Sequence, residues 1–403
     1  MTVDLGLRAA ELTDPETWRA GVPHALFDAQ RSQEPLALLE PASGPYWSLT
    51  RHADIAAASR DHEHFTVTRG SYYPLPTPEV LESQRGMLLL MDPPDHTRLH
   101  KLVIKSFTPR VVAKFEGWVR EVVVDVLDSV AGRSEFDFIA DVAAQIPGQV
   151  TGALLGMPDA ADREFVVQCA QDVFAIDAPD GHERHIRGQQ NLAGLIMRLL
   201  AEKGENPDGD LISSLNAVRV ANDGQLSEIE CVKYLALLTL AGFETTHTLL
   251  GQAMRMMMED ESIAAAIRGA YESGNTSGAV EELLRFVSPV NYFARSATAD
   301  VELGGREIKE GDVVVLWYAA GNRDPEVFPN PHEFDPTRSP NRHMAFGGGG
   351  IHHCMGNHVA RLEIRIFLEE YFRRGEDFRP GGEAVRGANM FVNQLVSLPV
   401  RRG

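Results

Sequence analysis

Apolar residues recur along the chain mostly at three- and four-residue spacing, in Ala-, Leu- and Arg-rich segments covering roughly 96–131, 160–203, 228–259, 276–287 and 355–373. That period puts them on one face of a helix, so each segment predicts an amphipathic helix. Strict alternation is rare. It occurs at Tyr46–Thr50 and in VELGGREIKEGDVVVLWYAA, where Gly304-Gly305 and Glu310-Gly311 punctuate a small strand meander. The expected fold is mainly α with a small β portion (α+β). No linker divides the chain, so one domain is expected over residues 1–403.

The segment at 228–259 is the longest. Ser227 followed by Glu230 has the form of a capping box that fixes its start. At about 1.5 Å per residue it would run for about 48 Å, enough to cross a large domain. Gly242, Glu244, Thr245 and Thr246 interrupt its apolar stretch, at a cost in helix propensity and desolvation. Thr245 is expected to bond the carbonyl of Ala241 one turn back, and Gly242 to leave a groove for a small ligand. A back-bonded core Thr with a surface Glu is the plainer alternative. Residues 321–342 hold five prolines, Pro325, Pro329, Pro331, Pro336 and Pro340, which exclude helix and central strand. The aromatic and charged residues among them predict an ordered meander rather than a linker.

A net charge of −19 argues against nucleic acid and anionic membrane partners. Three scattered cysteines, Cys169, Cys231 and Cys354, give neither a disulfide framework nor a paired metal motif. The first residues lack the basic start and apolar run of a secretory signal. The longest uncharged apolar stretch, Tyr234 to Phe243, is about half a membrane span. These features predict a cytoplasmic protein with no membrane span.

The chemistry concentrates in AFGGGGIHHCMGNHVARLEI, where Cys354 follows the run Gly347–Gly350 and precedes a helix. Glycines let backbone approach a flat ligand, and a helix start offers N–H groups and positive dipole to a thiolate. Such a sulfur suits axial ligation of haem iron. A buried free thiol is the alternative. A zinc site on His352, His353 and Cys354 is disfavoured, because contiguous side chains rarely converge on one tetrahedral ion.

This stretch resembles the haem loop of the cytochrome P-450 superfamily, with Phe346, Gly347, Gly350, His352, Cys354 and Gly356 at the matching positions. Phe346 stands one residue further from the cysteine than is usual, a form similar to soluble actinobacterial oxidisers of sterols and methyl-branched lipids. AGFET at 241–245, VEELLRF with Glu282 and Arg285, PDGDLISSL at 207–215 and NRDPEVFPNPHEFDPTR also match, so the resemblance spans about 14–400.

The resemblance implies haem b with Cys354 as axial ligand. It also implies a distal proton relay of Glu244 and Thr245 beside Ala241, and a structural lock of Glu282, Arg285 and Arg323. For the haem propionates it points to His96, His100, Arg295 and His352. The family's Arg four residues after the first His is replaced by His100. Carboxylates beside His100 are expected to raise its pKa, with Arg98 or Lys101 as substitutes. Tyr72, Tyr73, Leu75, Met87 and Leu88 are expected to line an apolar substrate pocket. So are Leu238, Ala241, Phe243, Val290, Asn291 and Tyr292, with Met390, Phe391 and Val392.

The implied activity is monooxygenation of a hydrophobic small molecule (sterol, terpenoid, branched lipid or secondary metabolite) with O2. Oxidative coupling, peroxide-driven oxidation and a non-enzymatic haem sensor are the alternatives. The chain carries no flavin or iron–sulfur motif. Electrons are therefore expected from NAD(P)H through a ferredoxin reductase and a ferredoxin. That ferredoxin would dock on Arg98, Lys101, Lys105, Arg110 and Lys114, and on Arg361, Arg365, Arg373 and Arg374 after the cysteine.

Overall fold

A computed structural model describes residues 5–157, 159–175, 180–221 and 226–403. Its centre is the helix Glu228–Glu259, 32 residues long. The capping box forms in both directions: Ser227 Oγ accepts from Glu230 N (3.2 Å) and Glu230 Oε2 from Ser227 N (2.8 Å). At the other end Asp260 stops the helix and caps the next one, Glu261–Glu272, by accepting from Ser262 N and Ile263 N. One side chain thus satisfies orphan donors at a corner.

Helices Gln145–Leu155, Ala160–Phe174, Gly181–Glu205, Thr276–Val287 and Asn357–Arg374 pack around or near this axis. They share one large apolar core that includes Leu235, Leu250, Leu283 and Phe367, all essentially inaccessible. Gly242 sits where the central helix crosses Gln145–Leu155, and a Cβ there would come within 2.7 Å of Thr151 Oγ1. The groove expected at Gly242 is therefore filled by a neighbouring helix. The glycine makes room for the Thr151 side chain at this crossing.

The continuous helix expected over 96–131 is broken into Asp95–Val103, short turns, and Glu116–Ser129. Pro109, which lacks an N–H, lies in the break. The segment 160–203 is two helices, with residues 176–179 outside the described ones.

A five-stranded mixed sheet runs in the order Leu36–Leu39, Tyr46–Leu49, Val313–Trp317, Tyr292–Ala297, Phe65–Thr66. Tyr46–Leu49 pairs parallel to Val313–Trp317, and the other pairings are antiparallel. Apolar clusters cover both faces, one around Trp317 and Tyr46, the other around Leu316 and Leu49. The strand Tyr292–Ala297 escapes an alternation rule because it is buried on both sides. Past Gly321 the proline meander contains neither helix nor strand, as its prolines require.

Candidate functional site

The meander is pinned by an ion pair. Glu282 and Arg285, one turn apart and fully buried, meet in a bidentate contact of 2.6 and 2.9 Å. Arg285 also donates to the carbonyls of Asn322, Pro331 and Glu333, while Glu282 accepts from Asp335 N and Asn341 Nδ2. The second cation on Glu282 is Arg338, at 3.3 Å. Arg323, expected in that role, instead donates to Phe286 O and lies 3.7 Å over the Phe286 ring. Lacking a carboxylate there, it is dominated by burial, which lowers its pKa to about 9.

The meander leads into the cysteine loop, which closes through Cys354 N donating to Phe346 O (3.0 Å). Gly347, Gly349 and Gly350 have φ of 98°, 98° and 80°. A Cβ on Gly348 would lie 2.3 Å from Ser59 Oγ, and one on Gly350 would lie 2.4 Å from Ser59 O. At Gly348 and Gly350 the glycines are thus demanded by the helix His52–Arg60 pressing on the loop, a protein contact rather than approach to a flat ligand.

The following helix begins at Asn357, with Gly356 at its N-cap, slightly later than expected. Cys354 is exposed at the loop end. The surrounding protein nonetheless desolvates the thiol and pushes its pKa up, opposed by the Gly356 N–H, then by Arg361 and the Asn357 N–H. A cation on the sulfur would reverse that balance. Arg361 is held by Glu281 (2.6 and 2.9 Å) and Asn357 Oδ1 (2.8 Å).

On the central helix, Leu238, Ala241 and Thr245 form a stripe, of which Ala241 is exposed in mid-helix. An exposed alanine there marks open space against the helix. Thr245 Oγ1 donates to Ala241 O at 3.0 Å, as its position predicts. Glu244 is buried; its Oε1 accepts from Thr248 Oγ1 (3.3 Å) and its Oε2 lies 3.7 Å from His247 Nδ1. Thr248 and His247 escaped the sequence reading. Their i+3 and i+4 spacing from Glu244 was the available signal.

A third group is basic. Arg295 is 4% exposed, and its Nη1 donates to the adjacent Ala294 carbonyl. His352 and His96 lie edge to face at 4.6 Å, and His96 stacks on His100 at 5.3 Å. His352 Nε2 is buried without a partner among the described residues. No carboxylate of the described residues forms an ion pair with any of the four. Burial, then Arg295, lowers the His352 pKa to about 2; burial, then His100, lowers that of His96 to about 4. His100 is lowered by burial as well; the raised value expected of it belongs to a state with carboxylates beside the ring. Arg98 pairs with Glu230 at 2.8 Å. Lys101 is exposed.

The pocket residues divide. Tyr72, Met87, Leu238 and Phe391 are half-buried, and Tyr72 meets the Phe391 ring edge-on at 4.7 Å. Burial pushes the Tyr72 phenol up to about 12. Tyr73, Leu88, Phe243 and Tyr292 belong to packed cores instead. Asn291 is fully buried and donates to Met390 O (3.0 Å), and Val290 bridges to Val392; both hold the 389–393 loop in position.

The steroid C26-monooxygenase of Mycolicibacterium smegmatis is 32% identical over 356 residues, covering 87% of this chain and 82% of that protein. The chain belongs to the cytochrome P450 family.

The family model described as Cytochrome P450 matches residues 276–376. The methyl-branched lipid omega-hydroxylase of Mycobacterium bovis is 31% identical, over 89% of this chain and 84% of that one. Among solved structures, a Mycobacterium marinum cytochrome P450 in complex with pseudoionone superposes with a TM-score of 0.88 at 31% identity, covering 100% of this chain and 98% of that one.

The chain is thus a P450 monooxygenase with the P450 fold, and the family carries haem through a cysteine thiolate. The residues present fit that group. The cluster of Arg295, His352, His96 and His100 has Asp92 nearby but no ion-paired carboxylate among the described residues, and with its orphaned imidazole nitrogen it suits carboxylates that need buried partners. In this P450 several arginines expected to recruit a ferredoxin are already engaged. Arg361 is bound to Glu281, Arg365 to Glu116 and Glu369, Arg373 to Glu370 and Arg374 to Asp128. Lys101, Lys105, Arg110 and Lys114 are exposed and form no ion pair with the described residues. No helix among the described residues is long and apolar enough to cross a membrane.

Proposed function

We propose that this P450, acting as one domain over residues 1–403, inserts one oxygen atom from O2 into a C–H bond of a hydrophobic small molecule of the sterol, terpenoid or branched-lipid class. Haem b supplies the redox chemistry, held by the Cys354 thiolate and by the basic cluster of Arg295, His352, His96 and His100. The observation that carries this reading is the basic cluster without an ion-paired carboxylate, with its orphaned His352 nitrogen, accompanying an accessible cysteine that faces the N–H groups of Gly356 and Asn357.

Thr245 presents its hydroxyl from the open stripe of the central helix, and the buried Glu244 carboxyl stands one residue away, held by Thr248. Together they move protons toward the Thr245 hydroxyl. The half-buried Tyr72, Met87, Leu238 and Phe391 orient an apolar substrate and exclude water. The names of the steroid and methyl-branched lipid relatives support that class. Electrons come from NAD(P)H through a ferredoxin reductase and ferredoxin, the latter docking on Lys101, Lys105, Arg110 and Lys114.

The test combines two measurements. The ferrous CO complex of the wild type should show the red-shifted Soret band of thiolate ligation, and Cys354→Ala should lose it. A screen of sterols and branched lipids should then find ligands that raise both the high-spin fraction and coupled NADPH consumption. Turnover with peroxide but never with O2 and reductant would sink the monooxygenase assignment. High-spin shifts without any turnover would favour a sensor.

A further inference from the structure

A cavity of about 550 Å³ opens between the start of the helix Thr276–Val287 and a wall of three arginines, Arg120, Arg365 and Arg373. Thr276, Ser277 and Glu369 complete its polar lining.

The helix start is uncapped. Asn275 makes no side-chain cap bond, and its Nδ2 donates away to Pro336 O (3.1 Å). The N–H groups of Thr276 and Ser277 find no acceptor among the described residues. The first bond of the turn runs from Gly278 N to Asn275 O. Thr276 is 7% exposed, and its hydroxyl has no partner among the described residues. Two amides and the accessible hydroxyl of the otherwise buried Thr276 therefore border the cavity without a partner among the described residues, at the positive end of a 12-residue helix.

The opposite wall is only partly neutralised. Arg120 contacts Glu116, Glu369 and Glu370, Arg365 contacts Glu116 and Glu369, and Arg373 contacts Glu370. Three guanidiniums against three carboxylates cancel, and the helix end adds about half a positive charge. Of the three carboxylates only Glu369 lines the cavity. Among the described residues each arginine keeps a donor without a partner: Arg120 Nε, Arg365 Nε and Arg373 Nη1.

We propose that this cavity binds a phosphate group. Six donors from two walls suit a tetrahedral dianion better than a planar carboxylate. A cavity this large also leaves room for an esterified organic remainder beside Tyr271, so the shared chemistry is inorganic phosphate or a phosphate monoester. The site is separate from the cysteine loop and goes beyond the proposed oxidation.

Isothermal titration of the haem-loaded enzyme in phosphate-free buffer, with inorganic phosphate and with glycerol 3-phosphate, tests it. Binding of either at one site supports the proposal, and the tighter of the two identifies the source as free ion or ester. Thr276→Val should weaken binding about fivefold, the loss of one hydrogen bond. Arg373→Gln, at an exposed position, should weaken it about tenfold, the loss of a charge-assisted contact. Unchanged melting temperature and CO spectrum would show that both variants fold. No heat with either probe, or affinities unmoved in both variants, overturns the proposal.

Discussion

The guanidinium of Arg361 lies over the ring of Phe346, 4.4 Å from its centroid, while Glu281 grips it from the side. Phe346 in turn accepts the Cys354 N–H on its carbonyl, so one cation links the Glu282–Arg285 helix to the cysteine loop. Arg361→Gln removes both the ring contact and a half-exposed ion pair. It should destabilise the enzyme by about 1–2 kcal/mol, read as a lower urea midpoint. An unchanged midpoint would mean that the stacking is incidental.

The same carboxylate gives an acid signature. Burial alone would raise the Glu281 pKa, but His343 and Arg361 outweigh it and hold it at about 2. A depressed folded pKa contributes stability that is present above the unfolded value near 4.5 and is lost as pH falls toward 2. Glu281→Gln should flatten that acid limb by about 1–2 kcal/mol after allowing for solvent screening. Equilibrium unfolding between these pH values checks it.

Glu282→Gln leaves Arg285 buried with only carbonyl partners. Breaking one side of such a pair costs roughly 3–5 kcal/mol, enough to loosen the meander through Asn322, Pro331 and Glu333. Reduced soluble yield and faster proteolysis within 321–342 are expected. Arg323→Lys should be far milder, because Arg323 does not touch Glu282.

Thr245→Val keeps the shape at the open stripe and removes the hydroxyl. Electron consumption should persist while product per NADPH falls about tenfold and peroxide appears, the lower end of what a positioned proton-transfer group contributes. Product yield equal to wild type would remove Thr245 from the relay.

His100→Arg extends a permanent charge into the basic cluster and should slow haem transfer to apomyoglobin. Transfer at the wild-type rate would dissociate His100 from propionate binding.

Local signals read well where the physics is local. Ser227 and Glu230 cap the long helix as their spacing requires, and Glu282 with Arg285 form the pair that three-residue spacing permits. Arg338 was missed because it joins Glu282 across 56 residues of irregular chain, where no period carries information. His247 and Thr248 were legible in spacing, yet a Glu in mid-helix has several equivalent neighbours.

The sequence by itself determined the mainly helical class, the ordered proline meander and the family, because periodicity, capping and proline chemistry act over a few residues. Only the tertiary structure decided why residues stand where they do. Gly242, Gly348 and Gly350 serve neighbouring helices, Arg361 and Arg365 are spent on internal ion pairs, and Tyr73 and Asn291 are packed rather than lining a pocket. These assignments depend on which distant surface arrives within a few ångströms, and a sequence does not carry that distance.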